Sequence, residues 1–165
     1  MCFEESRMES CLLQTKKMRN HNIGNAGEFY VLAQLAQRGY IAGKTDDGQT
    51  LIDVIATDPD TLSAVNIQVK TTKDETPSWL MSKKNEQYFK TLWYVLVHLH
   101  GSDAMPDFYV FHSDEVGPWL KNDHSQWLAK PKRNGEPRKD GNLRHFKPSK
   151  KQLEGAWDQW DRLFA

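Results

Sequence analysis

Apolar and polar positions alternate most strictly along Val65-Asn66-Ile67-Gln68-Val69-Lys70-Thr71. That period of two predicts a β-strand with Val65, Ile67 and Val69 on one face and Asn66, Gln68 and Lys70 on the other. Thr50-Leu51-Ile52-Asp53-Val54-Ile55-Ala56 predicts a second strand, and Asp58-Pro59-Asp60-Thr61 between them predicts the turn of a hairpin. Further along, Trp93, Val95, Val97 and Leu99 alternate with Tyr94, Leu96, His98 and His100, which gives another strand. Residues 108–111 are expected to pair with it across 101–106. A short strand is expected near 40–44.

Elsewhere the period lengthens to that of a helix. Val31, Leu32, Leu35 and Ala36 form an apolar stripe on a helix expected over 25–38, opened by Asn25-Ala26-Gly27-Glu28. Glu28 falls on the same face as Leu32 and Leu35, where a lone carboxylate would suffer desolvation. One explanation is a capping box, with Asn25 as N-cap and Glu28 returning a hydrogen bond. The other is that the stripe packs on the hairpin and aims Glu28 at Asp53. In that case Asp53, Gln68 and Lys70 converge on one sheet face with Glu28 beside them, an arrangement suited to holding a divalent metal next to a phosphate. Short helices are expected at 85–90 and at 114–121, the second capped by Ser113. Ser149-Lys150-Lys151-Gln152 is a capping box opening a helix over 149–164, whose Leu153, Trp157, Trp160, Leu163 and Phe164 recur at helical spacing and most simply pack on the sheet.

Composition narrows the class. The 165 residues suffice for one domain over 23–165, preceded by a polar tail over 1–22. The 22 basic and 22 acidic residues balance, so no global attraction to a polyanion exists. Nine basic residues nevertheless crowd 130–151, against Glu136 and Asp140 alone. Of these, Lys130, Lys132, Arg133, Arg138, Lys139, Arg144 and Lys147 are the candidates for a basic loop that tracks phosphates, the alternative being a solvated surface loop. Cys2 and Cys11 are too few for a disulfide scaffold or a thiolate zinc site and point to a reducing compartment. The six histidines show no zinc spacing; His98 and His100 share a strand face, but a bare His-x-His is a weak signal. The opening residues have no apolar h-region and no run is long enough for a membrane span, so a soluble, cytoplasmic protein is expected. No Gly-rich phosphate loop is present, so no nucleotide cofactor is expected.

Gly27-Glu28 on a first helix, Ile52-Asp53-Val54 on a strand and Ile67-Gln68-Val69-Lys70 on the next together resemble the PD-(D/E)xK nuclease superfamily, the restriction-endonuclease-like enzymes that include Mrr-type nucleases and archaeal Holliday-junction resolvases. The match spans residues 24–72, under half the chain. It implies an α/β fold with a central mixed β-sheet flanked by helices, and a Mg2+-dependent endonuclease acting on DNA, with Mn2+ able to substitute. A homodimer would supply two sites for double-strand cutting. The resemblance makes Asp53 the principal metal ligand, with the Gln68 side chain, the Val69 carbonyl and Glu28 as further ligands. Lys70 would orient the attacking water or stabilise the transition state, and Thr71 and Thr72 would donate to the DNA backbone. Glutamine stands at 68 where the family usually carries an acidic residue, which removes a negative charge and should weaken metal binding. The alternative reading is a catalytically weak or inactive nuclease-fold module that binds nucleic acid or a protein. From another class, Asp53 and Lys70 would form only a buried structural ion pair.

Overall fold

The computed structural model describes residues 20–46 and 51–165. Cys2, Cys11 and nearly all of the expected N-terminal tail lie outside them. The chain runs through α1 (Asn20–Gln37), β1 (Ile41–Lys44), β2 (Val54–Thr57), β3 (Ala64–Thr72), β4 (Trp79–Ser82), a 3-10 turn (Lys83–Glu86), β5 (Leu92–His98) and β6 (Asp107–His112). It continues with α2 (Ser113–Ala129), β7 (Leu143–Phe146), α3 (Lys150–Ala156) and a second 3-10 turn (Trp160–Phe164).

Five strands make a mixed sheet in the order β1-β2-β3-β5-β6, with β3 parallel to β5 and the other pairs antiparallel. The β2–β3 hairpin and the β5–β6 pair form as expected, but β2 covers Val54–Thr57, so Asp53, expected inside the strand, lies just before it. Because β5 is a central strand, both of its faces are buried, and its alternation separates two cores rather than core from solvent. Val54, Ile67, Val69, Val95, Val97 and Val110 face one core with Ile23, Val31, Leu35, Trp160 and Leu163. Tyr94, Leu96, Tyr109 and Phe111 face the other with Trp79, Met81, Val116, Leu120 and Phe146.

Several local expectations are corrected. Helix α1 begins at Asn20, five residues earlier than expected, so Asn25 lies inside it and the capping-box account of Glu28 is removed. Its buried line is Ile23, Gly27, Val31 and Leu35, every fourth residue, while Ala36 is exposed. Helix α2 extends to Ala129, well beyond the expected 121. The expected helix at 85–90 is the 3-10 turn Lys83–Glu86. The basic loop contains a strand, β7, which pairs antiparallel with β4 in a separate two-stranded ribbon. The C-terminal helix starts at its capping box, where Ser149 N donates to Gln152 Oε1 at 2.9 Å, but it ends at Ala156. Trp157 bridges to Tyr109, and Asp158 takes a left-handed φ of 54° before the closing 3-10 turn.

Candidate active site

Asp53 sits where β2 parts from its neighbours. Its N–H donates to the Ile67 carbonyl at 2.9 Å, and its own carbonyl accepts from Thr45 N at 3.0 Å, so the backbone is pinned between β1 and β3. The Thr45 hydroxyl donates to the Ile52 carbonyl and tightens the same corner. The Asp53 carboxylate turns back onto β3 and accepts the Val69 N–H at 2.7 Å. Within a strand the N–H and C=O of one residue point to the same edge, so the Val69 carbonyl also faces Asp53. Burial raises the Asp53 pKa, opposed by the Val69 hydrogen bond and the positive charges of Lys70 and Lys44, while Glu28 adds to the rise. The carboxylate is therefore held in a place that disfavours its charge unless cations compensate it.

Glu28 reaches this corner from α1 because the helix lies unusually close to β3. A Cβ added at Gly27 would fall 1.9 Å from Thr71 Oγ1. Only glycine permits that approach, which sets the next residue over the β2–β3 seam. Lys44 Nζ, at the end of β1, lies 2.9 Å from Glu28 Oε2. This is an ion-pair distance, so the ammonium of Lys44 compensates the Glu28 carboxylate at the edge of the seam. Lys70 is half-buried on β3 and forms no ion pair within 4 Å among the described residues, acting on Asp53 through space.

Gln68 is turned elsewhere. It is buried, and its Oε1 accepts from Asn85 Nδ2 at 2.5 Å. Asn85 also donates to Tyr94 Oη at 3.1 Å, and its oxygen accepts from Ser82 N at 2.8 Å. The structure thus brings Asp53, Glu28, Lys70 and the Val69 backbone together and ties the Gln68 oxygen into a neighbouring polar network. Lys44 and Asn85 were missed in the sequence. Lys44 is the one charge in Ile41-Ala42-Gly43-Lys44, and Ser82 three residues before Asn85 has the spacing of a capping pair.

The expected DNA contacts divide. Thr72 is buried and its hydroxyl accepts from Asp74 N at 3.3 Å, while Thr71 Oγ1 is buried under Gly27; neither hydroxyl is presented to a ligand. Arg144 is also corrected: it is buried, with its guanidinium on Glu86 and, at 3.2 Å, on Asp140, a strut between β7 and the 3-10 turn. Lys132 pairs with Glu136 at 3.0 Å, and Arg138 stacks 4.5 Å above Trp127 while donating to the Lys130 carbonyl. Arg133 and Lys139 are exposed. Lys130 and Lys147 flank a groove with Trp127 and His145.

Two solved structures resemble this fold across most of the chain. The bacterial homing endonuclease I-Ssp6803I superposes with a TM-score of 0.52 at 12% identity, covering 88% of this chain and 91% of its own. The Holliday junction resolvase Hjc of the archaeal hyperthermophile Archaeoglobus fulgidus superposes with a TM-score of 0.50 at 14% identity, covering 85% and 94%. No protein-family model and no curated protein matches the chain. The chain shares the fold of these two nucleases, a central mixed sheet flanked by helices. No helix among the described residues is long and apolar enough to cross a membrane.

Proposed function

We propose that this protein is a divalent-metal-dependent endonuclease acting on DNA, using Mg2+ with Mn2+ able to replace it, and working as a cytoplasmic homodimer. The observation that supports it is the meeting of two largely buried carboxylates at the β2–β3 seam, where burial and the neighbouring Glu28 both raise the Asp53 pKa. Such a pair is stabilised by a cation, and two carboxylates with a backbone carbonyl suit a hard ion that retains several waters. Asp53, Glu28 and the Val69 carbonyl would hold it.

When bound, magnesium supplies Lewis acidity and lowers the pKa of a water beside the scissile phosphate. Lys70 places an ammonium where negative charge grows on the phosphoryl oxygens, or orients the attacking water. Glu28 helps position that water. Gln68 would take part only through the lone pair that Asn85 leaves it, bringing one charge fewer than the usual acidic residue. The exposed Lys130, Arg133, Lys139 and Lys147 supply phosphate contacts, with Lys132 and Arg138 contributing once released from their internal partners.

The test is incubation with supercoiled plasmid and Mg2+ or Mn2+, beside an Asp53→Ala control. Wild type should nick or linearise DNA only with metal, and the control should not. Gln68→Glu should lower the metal concentration for half-maximal cleavage. A second reading has its own support in the Gln68–Asn85 bond: a nuclease-fold module that binds nucleic acid or a protein without cutting. A gel shift in EDTA without cleavage in any metal, unrescued by Gln68→Glu, would select it.

A further inference from the structure

A second polar cluster lies at the end of the sheet where β3 and β5 finish, with His98 paired to Thr72, two residues beyond Lys70. His98 closes β5, Asp107 opens β6, and the two are paired across the strands. His100 follows two residues later. One nitrogen from each histidine and one oxygen of Asp107 all lie within 4.8 Å of one another.

The hydrogen bonds around the cluster organise its lone pairs. His98 Nε2 is 2.9 Å from the Asp74 carbonyl. A carbonyl only accepts, so Nε2 carries the proton and Nδ1 keeps its lone pair. Fixing one ring nitrogen on a backbone carbonyl is how proteins orient a metal-binding imidazole. His100 Nε2 is 2.7 Å from Asp107 Oδ2, and Tyr109 Oη donates to that oxygen at 3.4 Å. The two imidazoles stand edge-on, 4.3 Å apart. A histidine–aspartate ion pair uses only one of them. The second ring, nearly buried, leaves His98 Nδ1 with no hydrogen bond among the described residues. The groove beside the cluster is also lined by Lys73, Glu75 and Gly101, so an ion has a path in.

We infer that His98, His100 and Asp107 form a metal site for a borderline transition dication such as Zn2+, separate from the Asp53 seam. Two imidazole nitrogens and a carboxylate oxygen match the donors such ions prefer and leave a position for water. Magnesium, which prefers oxygen, is a poor fit. The bound ion replaces the proton shared by His100 and Asp107 and ties the end of β5 to the start of β6.

Tag-free Asp53→Ala protein isolates this site from the nuclease seam, so the two readings stand or fall separately. Calorimetric titration with ZnCl2 should give one ion per chain, and excess Mg2+ should not displace it. Co2+ should produce the visible absorption of a low-coordinate nitrogen–oxygen site. Adding His100→Ala or Asp107→Asn, both partly exposed, should weaken Zn2+ binding by about tenfold or more, while His21→Ala should leave it unchanged. Zn2+ should also raise the thermal midpoint of the parent but not of the two site variants. Absence of Zn2+ binding, or binding equal in parent, His100→Ala and Asp107→Asn, would overturn the inference.

Discussion

Two regions of this molecule concentrate charge, and they treat it in opposite ways. In 130–151 the basic residues are dense in sequence, yet folding removes several of them: Arg144 is buried on Glu86 and Asp140, Lys132 is paired with Glu136, and Arg138 lies over Trp127. At the β2–β3 seam Glu28, Lys44, Asp53 and Lys70 are scattered over more than forty positions of sequence. The tertiary structure gathers them and half-buries two carboxylates side by side. Density along the chain measures how much charge is available; only packing shows which charges remain for a ligand. The clustered, partly buried groups point to chemistry more strongly than the numerous solvated ones.

The largest effect expected on this contrast is at the seam. Asp53→Ala should remove metal-dependent cleavage, and Lys70→Ala should slow it on the order of 10^2–10^4-fold, as loss of a positioned proton-handling or charge-stabilising group does. DNA binding in EDTA should survive both changes. A cleavage rate insensitive to Asp53→Ala would make the seam a structural ion cluster.

Arg144→Ala sharpens the comparison from the other side. Removing it strands Glu86 in a largely buried position, so unfolding in urea should show a loss of about 3–5 kcal/mol. The salt dependence of DNA binding should hardly change. A flattened salt slope with unaltered stability would return Arg144 to the phosphate-binding set.

Gly27→Ala should destabilise by about 1–3 kcal/mol, because the added methyl meets Thr71 and α1 must shift. The same shift moves Glu28, so cleavage should fall as well. Gly27→Ala combined with Thr71→Ser, which trims the γ-methyl but keeps the clashing hydroxyl, should recover little; Thr71→Ala should recover more. Equal recovery by both would contradict the close approach.

The smallest effect per residue belongs to the exposed lysines and arginines. Replacing Lys130, Arg133, Lys139 and Lys147 together with alanine should reduce the slope of log affinity against log salt by about 0.9 for each phosphate that is no longer neutralised. Cleavage at saturating DNA should change little. An unaltered slope would reduce the whole segment to a solvated surface.

Much of the fold was legible because strands on a core announce themselves locally. Val65, Ile67 and Val69, and the alternation from Trp93 to Leu99, specified strands without knowledge of their partners. The same periodicity misled at the C terminus: Leu153, Trp157 and Trp160 keep helical spacing through a break that depends on the backbone of Asp158 and the bridge from Trp157 to Tyr109. Strands β4 and β7 were hidden because four residues carry little periodic signal and their pairing joins segments more than sixty positions apart. The early start of α1 was hidden because Asn20-His21-Asn22 offers no apolar position to extend the stripe.

Sequence alone determined the material of the candidate site: a glycine followed by glutamate on a helix, an aspartate within a run that reads as one strand, and a glutamine and lysine two apart on the next. Their local spacing and the alternation of strand faces suffice for that, since both are set by backbone geometry within a few residues. Tertiary structure alone decided the company these residues keep. It placed Lys44 against Glu28, gave Asp53 the Val69 amide, and fastened Gln68 to Asn85. Those contacts join segments distant in the chain, and their energies depend on burial, which no local pattern of residues encodes.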